Sequence, residues 1–324
     1  MTKINVALIY KPSYEFLTGN HFDNTTYYFF MLALKRNSKI NISYFPEEKS
    51  FDTMKLKNKY DIILIAENHS DATPELKGIQ NLDIPVISRV GDPHDAKRKN
   101  KFFFHEKFKI KYYFNFMDKS YFYKFYPKKY PYKTIIFGLE SALYQDIKPY
   151  DERIKNKILN SGVIGKTTIK SRVANKIINP KRSSWYFYKL RTLCNKLKYV
   201  EHARDIEKKY KKKDYSYILS QYRAAIGAAT FYPTIKYWEI SASGCLAFLE
   251  ITKENQGEYL GYKDNETAIF INEKNYEKKF KKYLNDLDNP KWREIAQKGQ
   301  KYTMNHLNND HAVDSLVDLF NEVI

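Results

Sequence analysis

Strand-length apolar runs recur through the first half of the chain, and each ends in polar or turn-forming residues. Asn5 to Tyr10 (VALIY at its centre), Ile40 to Phe45, Tyr60 to Ala66 (YDIILIA), Ile84 to Val90 (IPVISRV), Lys111 to Phe116 and Tyr132 to Phe137 (YKTIIF) form the series. Runs of this kind make strands covered on both faces. After the first run Asn24 or Thr25 caps a helix through Tyr28 to Leu34, short helical or loop segments separate the others, and KSYFYKFYP reads as a short aromatic helix. Strand and helix in alternation predict a doubly wound parallel sheet, with a ligand site beyond the carboxyl ends of its strands.

Lys148 to Asn156 (KPYDERIKN) is polar, contains Pro149 and has no apolar period, so the first domain is expected to end near residue 150 and a second to occupy 151–324. The second opens on a strand in Lys157 to Gly165 and a helix running to Ile178. Pro180 to Leu197 follows as an inserted basic, aromatic helix. A short strand then lies at Lys198 to Val200, a charged helix at Ala203 to Leu219, and a small-residue strand or loop at Gln221 to Ala229. Phe231 to Glu250 (FYPTIKYWEISASGCLAFLE) reads as a turn, a helix from Ile235 to Ser243, a glycine stop at Gly244 and a buried strand. A strand at Ala268 to Ile271 and helices at Tyr276 to Leu287, Pro290 to Leu307 and Ala312 to Val323 complete it, the last capped by Asp310 and striped with Ala312, Val313, Leu316, Val317, Phe320 and Val323.

Composition narrows the class. The 324 residues, 43% hydrophobic and 16% aromatic, are enough for two folded cores and argue against disorder. Two cysteines, Cys194 and Cys245, stand in separate segments and favour neither a disulfide framework nor a thiolate metal site. No apolar run reaches the roughly 20 residues of a membrane span, and MTKINVALIYK leads straight into a strand, so a cytoplasmic, soluble or peripheral protein is expected. The net charge of +19 is concentrated: Lys97 to Lys133 carries an excess of +10 and Lys181 to Lys213 one of +9. The first stretch is interleaved with aromatics, a pattern that fits an anionic membrane surface, a nucleic acid, or simply solvated faces.

Five places carry candidate chemistry. Gly19 lies in a loop between strand and helix, where backbone N–H groups can receive a diphosphate or a sugar hydroxyl; a plain turn is the alternative. RVGDPHD, Arg89 to Asp95, follows a buried strand and sets His94 between Asp92 and Asp95, a grouping suited to acid or base work and equally to an Asp-Pro turn with a helix cap. Glu67, Asn68 and His69 close the preceding strand, His69 reading as a surface loop residue. Lys166, Lys170 and Arg172 cluster where a helix begins, unfavourably for its dipole unless an anion lies among them. Glu239 is the one acid in the Ile235 to Ser243 helix, and a buried carboxylate demands a partner.

KYWEISASGCLAF resembles the motif Glu-(Ala/Ile)-x-Ala-x-Gly-(Cys/Thr)-(Pro/Leu) of GT-B glycosyltransferases of the group-1 class, nearest the spore-maturation-protein-like branch. The resemblance implies two Rossmann-like domains facing across a cleft, the first receiving the acceptor and the second a nucleotide-sugar donor, UDP- or GDP-linked, with the last helix packing back across both. It implies that Glu239 accepts from the ribose hydroxyls, that Arg172 contacts the donor phosphates, and that His94 with Asp92 serves catalysis; Lys166, Lys236, Gly244 and Gly19 complete the expected donor-binding set. Many members carry a further glutamate eight positions earlier, where this chain has Phe231. The implied reaction is hexosyl transfer without a cofactor beyond the donor, to an acceptor glycan that is lipid-linked or on protein; it is expected to be metal-independent, since the acidic residues form no ligand cluster of recognisable spacing. A membrane surface engaged through Lys97 to Lys133 suits such an acceptor better than nucleic acid does. Two alternatives stand beside this reading: a basic module that binds nucleic acid or anionic lipid without catalysis, and a nucleotide-sugar epimerase of the same architecture.

Overall fold

The computed structural model describes residues 3–14, 26–165, 168–170, 173, 177, 184–203 and 215–324. They form two compact units, Met1–Gly138 with Asn308–Ile324, and Leu139–Leu307. The division at Gly138 precedes the polar stretch near residue 150, because that stretch packs into the second unit: Tyr150 lies against its core, and its carbonyl accepts from Arg223 Nε at 3.1 Å.

The first unit contains β1 (Ile4–Tyr10), β2 (Ile40–Pro46), β3 (Ser50–Asp52), β4 (Ile62–Ile65), β5 (Glu75–Lys77), β6 (Val86–Arg89), β7 (Ile110–Asn115) and β8 (Tyr132–Thr134). Six of them make a parallel sheet in the order β2-β1-β4-β6-β7-β8, and β3 pairs with β5 in a small parallel ladder that the apolar pattern does not announce. Successive side chains of β1 go to opposite faces. Val6 and Leu8 join Phe30 and Leu34 of the Thr26–Arg36 helix, whereas Ala7 and Ile9 join Phe51, Leu56, Phe108 and Phe122. Both faces being covered explains why the strands read as unbroken apolar runs.

The Asn309–Val323 helix closes this unit. Its stripe of Ala312, Val313, Leu316, Val317, Phe320 and Val323 is buried in the same cluster as Phe30 and Phe137. The cap is Asn308, whose Oδ1 accepts from His311 N at 2.9 Å; Asp310, expected in that role, pairs with Arg36 at 2.6 Å.

The second unit contains β9 (Ile158–Asn160), β10 (Val200–His202), β11 (Ala224–Gly227), β12 (Leu246–Glu250) and β13 (Ile269–Ile271), all parallel in the order β10-β9-β11-β12-β13. Chain direction across the sheet reverses between β9 and β11, so the crevice outside their carboxyl ends is where a doubly wound sheet receives a ligand. In the first unit the corresponding reversal lies between β1 and β4. The inserted helix expected over Pro180 to Leu197 is two short helices among the described residues, Ser184–Phe187 and Lys189–Cys194.

Candidate functional site

Buried polar atoms without hydrogen-bond partners gather at the carboxyl edge of the second sheet. Arg191, on the Lys189–Cys194 helix, is 2% exposed; Nη1 donates to Val163 O at 3.1 Å, while Nε and Nη2 have no acceptor among the described residues. Gly162, in the turn after β9, has φ +97°, and a Cβ there would lie 2.6 Å from Nη1, so a glycine is what lets the guanidinium rest on this turn. Burial pulls the guanidinium down from its ordinary value, opposed first by Tyr188, over whose ring it lies at 4.7 Å. An arginine stays charged, and a buried charge with open donors is costly until an anion or carbonyl meets it.

Glu239 stands on the Lys236–Ala242 helix, which leads from the end of β11 to the start of β12. Its side chain is 13% exposed, Lys236 Nζ lies 3.4 Å from Oε2, and Oε2 has no well-formed hydrogen bond. Burial raises its pKa and Lys236 opposes the rise. Lys236 Nζ also sits 3.6 Å over the Tyr215 ring, and the Tyr215 hydroxyl shares a 2.6 Å hydrogen bond with Ser161 Oγ in the turn after β9. Glu239 and Arg191 therefore border the same switch point, the one through Lys236 and Tyr215, the other through Gly162 and Val163.

Glu250, the last residue of β12, is 4% exposed, and its Oε2 has no hydrogen-bond partner among the described residues. Burial, helped by Glu273, pushes its carboxyl up to about 7, against Arg191, the Ala229 N–H and Lys189. Phe231 packs its ring against Phe187 at 4.9 Å between centroids and presents no polar group. Gly244, with φ +71°, ends the helix at the amino end of β12, where an added Cβ would meet Arg153 Nη2 at 3.3 Å; its place in the fold is a backbone one. Gly19, Lys166 and Arg172 lie outside the described residues.

In the first unit the carboxyl ends of β4 and β6 meet in a buried ionic cluster. Glu67, 3% exposed, accepts from Lys101 Nζ at 2.5 Å, from Arg89 Nη2 at 3.1 Å and from the Tyr14 hydroxyl, and His69 Nε2 lies 3.0 Å away. His69 Nδ1 accepts from Asp71 N at 3.1 Å, which leaves the Nε2 proton for Glu67. Burial alone would raise the Glu67 carboxyl; Lys101, the His69 hydrogen bond and Arg89 together hold it well below the usual carboxylate range. His69, expected in a surface loop, is 3% exposed because it completes this cluster. Gly91 is required beside it, since an added Cβ would overlap the Glu67 carboxylate.

Asp92 and His94 follow in a single turn of 3-10 helix, Pro93–Asp95. The Asp92 side chain is 53% exposed and that of His94 14%, with Asp92 Oδ2 3.9 Å from His94 Nε2 and the Tyr121 hydroxyl 3.4 Å from His94 Nδ1. Asp95 pairs with Arg98 at 2.8 Å. The sequence spacing does not read as a ligand set, yet Asp92, His94 and Asp95 place donor atoms within 4.8 Å of one another. Lys101 and Arg191 were not among the candidates from sequence; both lie inside the long basic stretches, where nothing marks one cation as inward.

No protein-family model matches the chain, and no curated protein matches it in sequence. Solved structures do match in fold. An alpha-glucosyltransferase in complex with UDP and a 13-mer DNA superimposes with a TM-score of 0.57 at 9% identity, covering 99% of this chain and 100% of that one. Sucrose-phosphate synthase from Thermosynechococcus elongatus gives 0.60 at 12% identity, covering 99% of each chain. Anabaena HepE in complex with UDP gives 0.55 at 10% identity, covering 99% and 100%. The chain has the GT-B fold. Two parallel Rossmann-like sheets are the GT-B architecture that the motif around Glu239 leads one to expect, and its spore-maturation-like branch is not distinguished by these neighbours. Among the described residues of this GT-B chain no helix is long and apolar enough to cross a membrane.

Proposed function

We propose that the protein is a glycosyltransferase whose second unit binds a nucleotide-sugar donor at the switch point between β9 and β11. The observation that carries this is the buried Arg191 guanidinium with two nitrogens lacking acceptors among the described residues, on the same edge as Glu239. A planar guanidinium suits phosphate oxygens, and a carboxylate suits the paired hydroxyls of a ribose. Each group is costly to leave unpaired, so a ligand that brings both acceptors and donors is favoured over none. The GT-B neighbours solved with UDP support the uridine form, with a hexose as the transferred sugar. Arg191 and neighbouring lysines would stabilise the charge that develops on the departing diphosphate.

Calorimetric titration with UDP, GDP and CDP tests the reading; no binding by any of them at millimolar concentration would end it. Glu239→Gln should weaken the nucleotide that does bind on the order of 10- to 100-fold, the worth of a hydrogen bond to a charged group.

We place the acceptor chemistry on the first unit, with His94 and Asp92 handling the proton of the attacking hydroxyl and no metal taking part. His94→Ala should then lower kcat while leaving nucleotide affinity unchanged, and excess EDTA should leave turnover unaltered. A glycan on lipid or protein is the acceptor favoured by the exposed Lys97, Arg98 and Phe103, the last 54% exposed. Salt titration against anionic vesicles and against DNA separates this from a nucleic-acid acceptor.

A further inference from the structure

The proposed donor site leaves one buried acid without a task. Glu250 ends β12 beside β11, and its main-chain carbonyl accepts from the Tyr237 hydroxyl at 3.0 Å and from Asn255 Nδ2 at 2.5 Å. Asn255 Nδ2 also reaches Ala229 O at 3.1 Å, and the Tyr237 hydroxyl accepts from Ala229 N at 3.0 Å. The residue is thus pinned to the turn that leaves β11, the turn bordering the switch point.

Its side chain is not neutralised by the cations around it. Lys189 is taken by Glu273 at 2.6 Å, and Arg191 influences the Glu250 carboxyl without an ion pair forming between them. Oε2 is bonded to no described residue. We infer that Glu250 reads the hydroxyl groups of the transferred sugar, a role that rests on the donor-site reading above.

The assignment follows from what each part of a nucleotide sugar can offer. An unpartnered carboxylate oxygen needs a hydrogen donor. A diphosphate has none, and the ribose hydroxyls have Glu239. Sugar hydroxyls remain, and they lie next to the phosphates, as Glu250 lies within electrostatic reach of Arg191. Phe231, turned into the aromatic contact with Phe187, leaves the segment entering the helix without a hydrogen-bonding side chain at that position.

The experiment is titration of the full chain with UDP and with UDP-glucose and UDP-galactose, for the wild type, Glu250→Gln and Glu250→Asp. The wild type should bind one UDP-sugar more tightly than UDP. Both variants should keep the UDP affinity within about two-fold and lose the sugar increment, on the order of ten-fold. Retained UDP binding shows that the variants are folded. Equal weakening of UDP and UDP-sugar overturns the inference by assigning Glu250 to the nucleotide or to the fold. No weakening of either overturns it by assigning the open oxygen to a buried water. Failure of the wild type to bind any of the three, with GDP and CDP also unbound, overturns the donor-site reading itself; binding of GDP or CDP instead moves the same comparison to that nucleotide's sugars.

Discussion

Glu67→Gln should lower the stability of the first unit by roughly 3–5 kcal/mol, the cost of leaving buried cations without their counter-charge. Lys101 is 1% exposed and Arg89 8%, and the carboxylate that Lys101, Arg89, Tyr14 and His69 converge on is their common partner. Glutamine keeps the shape and removes the charge, so the loss is electrostatic and not a cavity. Urea unfolding followed by tryptophan-independent far-UV signal measures it, and a loss below about 1 kcal/mol would mean that the cluster carries no more than an exposed pair does. Its pH dependence has a definite sign. A carboxyl held below its ordinary value stabilises the fold above the unfolded pKa, and that contribution is lost as pH falls through the folded one. The wild type should therefore lose its advantage over Glu67→Gln in acid. Gly91→Ala forces the same carboxylate aside, so its cost should add to that of Glu67→Gln by less than the sum.

The second large effect runs in the opposite direction with pH. Glu250 has its carboxyl pushed up to about 7 from 4.5, so its protonated form is the one that the folded chain prefers. Its contribution is fully present below the unfolded value and is lost as pH rises through the folded one. A gap of this size is worth roughly 3 kcal/mol. Between pH 4.5 and 7.5 the wild type should lose about that much stability relative to Glu250→Gln, which cannot titrate. Parallel stability profiles for the two proteins over that range would show that the carboxyl is not held in a dry setting. A UDP-sugar whose hydroxyl donates to the ionised form should lower the midpoint of the transition, which links this profile to the binding experiment.

The strands were legible because parallel sheets covered on both faces demand unbroken apolar runs, and Val6 to Ile9, Ile62 to Ile65 and Leu246 to Leu249 supply them. The glycine stop at Gly244 and the apolar stripe of the last helix were legible for a similar reason: each is a local rule of backbone or periodicity. Asp310 is not the cap that its position suggested, since Asn308, Asn309 and Asp310 are all capable caps and only the entry path of the chain selects Asn308. His69 was misplaced because a polar residue after a strand looks like loop surface until Glu67, Arg89 and Lys101 close around it.

What the sequence determined by itself is the alternation of elements, the two-sheet α/β class and the helix that carries Glu239, since these depend on side-chain polarity at short range. Which charges go inside was decided only by the tertiary structure. Lys101 and Arg191 sit in basic stretches of twelve Lys or Arg each, where every cation looks alike. One is drawn in by a carboxylate 34 residues away and the other is lodged against the turn at Gly162. Burial of a charge is a property of the partners that surround it, and those partners become neighbours only when strands distant in the chain are laid side by side.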